Sequence, residues 1–133
     1  MKIIALRGAG SCGKTTTLNL VYDDLISKGA IVSVPKNQVG GDKKDFESIL
    51  TYRGKNVAIY TMGDYSNLTI KAIDNYASLR VDIFICASNT RFKRPIKKIL
   101  TFSNDIVIKS VAIISANRIF ENTKDANTIV GLI

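Results

Sequence analysis

The stretch LRGAGSCGKTTTL, residues 6–18, constrains this chain more than any other. Gly8, Gly10 and Gly13 follow the apolar run KIIALRG, and Lys14 with Thr15, Thr16 and Thr17 leads into Leu18, Val21, Tyr22, Leu25 and Ile26. A short apolar run closed by glycine reads as a buried strand. The apolar stripe that follows has helical spacing and a stop signal at Gly29. A strand passing through a glycine loop directly into a helix opens a βαβ unit.

The rest of the chain continues that alternation. AIVSVP (30–35), NVAIYTM (56–62), VDIFICAS (81–88) and part of DIVIKSVAIIS (105–115) read as further strands. SNLTIKAIDNYASL (66–79) reads as a helix capped by Ser66, and RPIKKILTF (94–102) as a basic helix with Pro95 in its first turn. TKDANTIVGLI (123–133) reads as a closing helix, while KNQVGGDKKDFESIL reads as a polar loop leading into a helical turn at Phe46, Ile49 and Leu50. Apolar strands alternating with helices predict a three-layer α/β/α sandwich around a mostly parallel, five-stranded sheet. The length of 133 residues suits one domain over residues 1–133.

Charge and cysteine usage narrow the setting. The net charge is +8, which favours anionic partners: nucleotides, nucleic acid, phosphorylated metabolites or acidic protein surfaces. The chain has no His, which excludes His-based acid–base catalysis and His metal ligands. Cys12 in the loop and Cys86 in an apolar run suit reduced thiols better than a disulfide. The apolar runs are strand-sized, far short of the roughly 20 residues that span a bilayer. Arg7 and Gly8 interrupt the N-terminal run too early for a signal peptide. A cytoplasmic protein without membrane association is expected.

Gly8, Gly13, Lys14 and Thr15 fit G-x-x-x-x-G-K-[ST]. Glycines let the chain wrap so that successive N–H groups face phosphate oxygens, and the helix beginning at Lys14 adds its N-terminal partial charge. Gly8, Ala9, Gly10, Ser11, Cys12, Gly13, Lys14, Thr15 and Thr16 are therefore the expected nucleotide-binding residues. Lys14 is expected at the β and γ phosphates, and the Thr15 hydroxyl on Mg²⁺. The chain resembles the P-loop NTPases over most of its length, with ATP and Mg²⁺ as the implied cofactors.

Within that superfamily the diagnostic residues sort the branches. Ala9 stands where proteins of the MinD and nitrogenase-iron-protein type carry a signature Lys. NTKD (122–125) has the letters of the guanine motif N-K-x-D in the wrong order. Asp64, after the third strand, is the candidate acidic partner of the metal, and a loop or helix-capping role is its alternative. Gly63 and Tyr65 flank it, without the adjacent Glu of strong ATPases. The layout is similar to small nucleotide and metabolite kinases, which place an acceptor-binding region after the second strand and a basic lid after the fourth.

The resemblance thus implies a minimal phosphotransferase for a small anionic or nucleotide acceptor. Lys14, Asp64, Arg91 and Arg94 are its catalytic candidates, Thr15 and Asp64 hold the metal, and Asp42 or Asp45 orients an acceptor. The alternative is a nucleotide-dependent switch or weak ATPase that binds a nucleic-acid or protein partner through basic residues such as those of 91–98. A third reading is a binder without hydrolysis. Strand order separates kinase-like from ATPase-like P-loop proteins, according to whether the third strand lies beside the first.

Overall fold

The computed structural model describes residues 1–133. Its strands are β1 (Lys2–Gly8), β2 (Ile31–Gln38), β3 (Phe46–Tyr52), β4 (Lys55–Tyr60), β5 (Ile83–Asn89) and β6 (Ser103–Ile108). They form one six-stranded sheet in the order β2-β3-β4-β5-β1-β6. β1 pairs in parallel with β5 and β6, and β4 pairs in parallel with β5. β3 alone runs against its neighbours β2 and β4.

The helices α1 (Lys14–Ser27), α2 (Ser66–Ser78), α3 (Lys93–Ile99) and α4 (Arg118–Gly131) cover both faces. On one face Leu18, Val21 and Leu25 of α1 and Ala126 and Ile129 of α4 pack on Ile4, Leu6, Ile59 and Ile85. On the other, Ala72, Ile73 and Tyr76 of α2 and Ile99 of α3 pack on Ile3, Ala5, Phe84 and Cys86. The central strands are buried on both sides, so they read as unbroken apolar runs; each fully buried large side chain contributes about 1.5–3 kcal/mol. No helix is long and apolar enough to cross a membrane.

The layers are as expected, but the sheet has one strand more. Residues 46–52 form β3 rather than a helical turn, because Phe46, Ser48, Leu50 and Tyr52 alternate inward at a period of two. Ser48 disguises the alternation, while Phe46, Ile49 and Leu50 imitate helical spacing. The reversal into β4 is made by Arg53 and Gly54, with φ of 51° and 76°. Two left-handed residues give the mirror-image turn whose twist suits a tight hairpin, closed by the pair Tyr52 and Lys55.

The last strand also differs. β6 stops at Ile108, and residues 109–114 run on without strand pairing to a 3₁₀ turn at Ser115–Asn117 and then α4. Asp125 is the reason. Its carboxylate accepts from the Ser110 N–H at 2.7 Å and the Ser110 hydroxyl at 2.8 Å, and forms a buried ion pair with Lys109 at 3.0 Å. These contacts tie the chain to α4 just beyond the strand.

The edge strand β2 is exposed along its whole length. Register shifts between Val32 and Asn37, with Pro35 and Lys36 in the same stretch, blunt it as a pairing template.

Candidate functional site

Ligands of open parallel sheets gather beyond the carboxyl ends of the strands. A cavity of about 390 Å³ lies there. It is lined by residues 11–16 of the glycine loop and first turn of α1, by Asp42, Lys44 and Asp45 before β3, by Thr61, Gly63 and Asp64 after β4, and by the chain beyond β6. Because β3 is reversed, its beginning rather than its end meets this rim.

The glycine loop is curled by Ser11 and Gly13, both left-handed at φ of 56° and 98°. Gly8 and Gly13 admit no side chain. A Cβ on Gly8 would stand 2.8 Å from Lys109 Cβ, and one on Gly13 would stand 2.8 Å from Asn122 Oδ1. The N–H groups of residues 10–16 donate to no protein acceptor. A loop curled this way and followed by a helix presents converging donors and a positive dipole end, which suits an anion.

Lys14 is buried at the centre of the loop. Its Nζ donates to Ala9 O at 2.6 Å and Gly8 O at 3.1 Å, within the loop itself. The ammonium thus rests on carbonyls, with no carboxylate to neutralise it, in a cradle of unpaired N–H groups.

Thr15 Oγ1 donates to Asp45 Oδ1 at 2.9 Å, and Thr61 Oγ1 donates to the same oxygen at 2.7 Å. Thr61 in turn accepts from the Phe46 N–H at 2.9 Å, which locks the start of β3 to the end of β4. The loop before Asp45 is held by its own turn. Asp42 accepts from the Lys44 N–H at 2.8 Å, and Asn19 Nδ2 bridges from α1 to Lys44 O at 3.1 Å. Asp45 is consequently a buried carboxylate that shares one oxygen between two hydroxyls.

Asp64 lies on the same cavity but is exposed and makes no hydrogen bond to Thr15; it accepts from Asn89 Nδ2 at 3.2 Å. Asn89 is itself fixed, since its Oδ1 accepts from the Arg91 N–H at 2.9 Å. Gly63 lets the β4 loop approach β5: a Cβ there would stand 2.9 Å from Ala87 O.

The structure therefore brings Lys14, Thr15, Thr16 and Asp64 to one cavity, together with Asp42 and Asp45. Arg91 and Arg94 are not among its walls; Arg94 Nη1 donates instead to Asn67 Oδ1 at 3.0 Å, towards α2. Lys44 and Arg118 supply the cavity's remaining cations. Arg118 and Asn122 were not legible as site residues, because only the fold of 109–117 carries the start of α4 to the glycine loop. Asp45, expected from its loop to orient an acceptor, is placed by the start of β3 against Thr15.

Two tyrosines lie outside the cavity, in the core on the α2 face of the sheet. The Tyr76 hydroxyl donates to Glu47 Oε2 at 2.8 Å, and burial with that bond raises its pKa. Tyr60 is raised by burial and then by the charges of Glu47 and Asp45. Both are held as neutral phenols.

Compared with known proteins, the chain matches no family model, no curated protein and no solved structure.

Proposed function

We propose that the chain is a nucleoside-triphosphate-binding protein of the P-loop type that acts as a weak, Mg²⁺-dependent ATPase or switch. The observation that carries this reading is the cradle of unpaired N–H groups at residues 10–16 around the buried ammonium of Lys14. Such donors match the charge and shape of a di- or triphosphate.

The residues fit a divalent cation as well. Thr15 and Asp45 offer a hydroxyl and a carboxylate side by side. No group of three or more carboxylates or thiols is present to cage an ion. That set suits Mg²⁺, which keeps several waters and takes phosphate oxygens as further ligands. When bound, Mg²⁺ neutralises charge on the phosphate oxygens. In this reading Lys14 binds phosphate, Thr15 and Asp45 hold the cation, and Asp64, steadied by Asn89, orients a water towards the terminal phosphate. Adenine is favoured over guanine by the lack of an N-K-x-D motif.

Strand order supports an ATPase over a kinase, because β5 stands between β1 and β4. The placement of Arg91 and Arg94 outside the cavity likewise leaves α3 without a lid's part. A phosphotransferase with an anionic acceptor is the second reading, favoured by Lys44 and Arg118 on the cavity wall.

Calorimetric titration with ATP and GTP in Mg²⁺, beside Lys14→Ala, tests the binding claim. Micromolar binding of ATP, lost in the variant, is expected, with slow phosphate release that added acceptors leave unchanged. Failure to bind either nucleotide refutes the proposal, and release that rises with an acceptor selects the phosphotransferase.

A further inference from the structure

Ser110–Asn117, SVAIISAN, is an uncharged run in a chain of net charge +8. It leaves the sheet at Lys109, whose N–H donates to Arg7 O at 2.8 Å, and is anchored by Ser110 on Asp125. Beyond that anchor, the N–H and C=O groups of residues 111–113 have no partner in the chain. Their side chains are equally unpartnered. Val111 is 68% exposed, Ile113 102% and Ile114 63%, and the flanking Ile108, Ile119 and Phe120 are 68%, 79% and 67%. Monomers rarely leave more than a few hundred Å² of contiguous apolar surface open.

An extended segment with free main-chain groups is a template for strand addition. Charge decides what adds to it. Nucleic acid or an acidic protein gains from the cations elsewhere on this surface, and gains nothing from an uncharged strand. Two copies of a cationic chain, by contrast, repel each other least where neither carries charge. The area is sufficient too. The six apolar side chains, at these exposures, offer on the order of 600–800 Å² per copy, close to the ~800 Å² per partner of a standard interface.

We infer that the extended residues Val111–Ile114, between the Ser110 anchor and the 3₁₀ turn at Ser115–Asn117, form the interface of a homodimer, in which these residues of two copies pair antiparallel about a two-fold axis. Ile119 and Phe120, on the exposed first turn of α4, flank the paired strands. The contact is isologous, so it closes on itself and does not propagate into fibres. Ser110, Val111 and Ala112 also line the cavity, so association is measured without nucleotide.

Sedimentation equilibrium of the full chain without nucleotide, from about 1 to 100 μM, tests it. A reversible dimer of twice the 14.6 kDa chain mass is expected. Ile113→Asp should weaken association at least tenfold with an unchanged circular dichroism spectrum, since that side chain touches nothing in the fold. Val32→Glu, on the exposed edge of β2, should leave association as it is. A monomer at every concentration overturns the inference. So does a dimer indifferent to Ile113→Asp, which would lie on another surface. A monomer that pellets with phosphatidylcholine vesicles overturns it in favour of a lipid surface.

Discussion

Thr15, at the start of α1, donates its hydroxyl to Asp45, just before β3, over 2.9 Å. The bond joins the glycine loop to the one reversed strand of the sheet, and it places a carboxylate where a cation beside Thr15 would sit. Asp45→Asn keeps an oxygen for Thr15 and Thr61 but removes the charge. Mg²⁺-dependent ATP affinity is expected to fall about 10–100-fold while the melting temperature changes little. Titrations with and without Mg²⁺ check this, and equal loss in both would remove Asp45 from the cation site.

Asp64→Asn separates binding from turnover. The carboxylate is exposed on the cavity and held by Asn89. Hydrolysis is expected to drop about 10²–10⁴-fold, the range for a lost general base, with ATP affinity within a few-fold of the parent. Phosphate release under single-turnover conditions measures it. A variant with parental turnover would return Asp64 to a loop role.

Gly63→Ala tests the close approach of β4 and β5. The added methyl meets the Ala87 carbonyl oxygen at 2.9 Å, and main chain yields poorly. A loss of about 1–3 kcal/mol is expected from the denaturation midpoint. Gly29→Ala makes a useful contrast: its Cβ has open space, so any loss there comes from its left-handed φ of 95° alone.

The ion pair of Lys109 and Asp125 is buried, with side-chain exposures of 1% and 5%. Lys109→Met strands the carboxylate, and a loss of about 3–5 kcal/mol is expected. Adding Asp125→Asn removes the stranded charge and keeps an acceptor for Ser110. The double variant should therefore be more stable than Lys109→Met alone, and a double-mutant cycle by urea denaturation measures the coupling.

Alkaline pH should destabilise the fold through Cys86. Burial pushes its thiol up from 9.0 to about 12. Between those values the unfolded chain releases a proton that the folded chain retains. The stabilising contribution is complete below pH 9 and is lost as pH rises towards 12. Tyr60 and Tyr76 act in the same direction. Stability measured at pH 8 and pH 11 should fall less in Cys86→Ala than in the parent, and parallel losses would count against the buried thiol.

The three layers were legible because β1, β4 and β5 are buried on both faces, which leaves unbroken apolar runs. The glycine loop was legible because its residue types follow from local geometry. β3 was not, since Ser48 breaks the apolar alternation and the Arg53–Gly54 turn lacks the usual asparagine or aspartate. Without β3, Asp45 reads as an acceptor-orienting residue of a polar loop, and its bond to Thr15 stays hidden. Arg91 and Arg94 match a lid in their order along the chain, whereas α3 is seven residues long, leans on α2 and is not part of the cavity wall.

The tight hairpin at Arg53 and Gly54 has a further consequence: it works as a ruler for the site at the opposite end of the sheet. The turn fixes which residue of β3 faces which of β4, from Tyr52 with Lys55 up to Glu47 with Tyr60. Side chains alternate along a strand, so a slip of one residue would turn Asp45 away from Thr15 and expose Phe46, Leu50 and Tyr52 together. The hydrophobic core thereby proofreads the position of the acid. A change of one residue in the length of that distant turn would be felt at the cavity before any residue of the cavity had been altered.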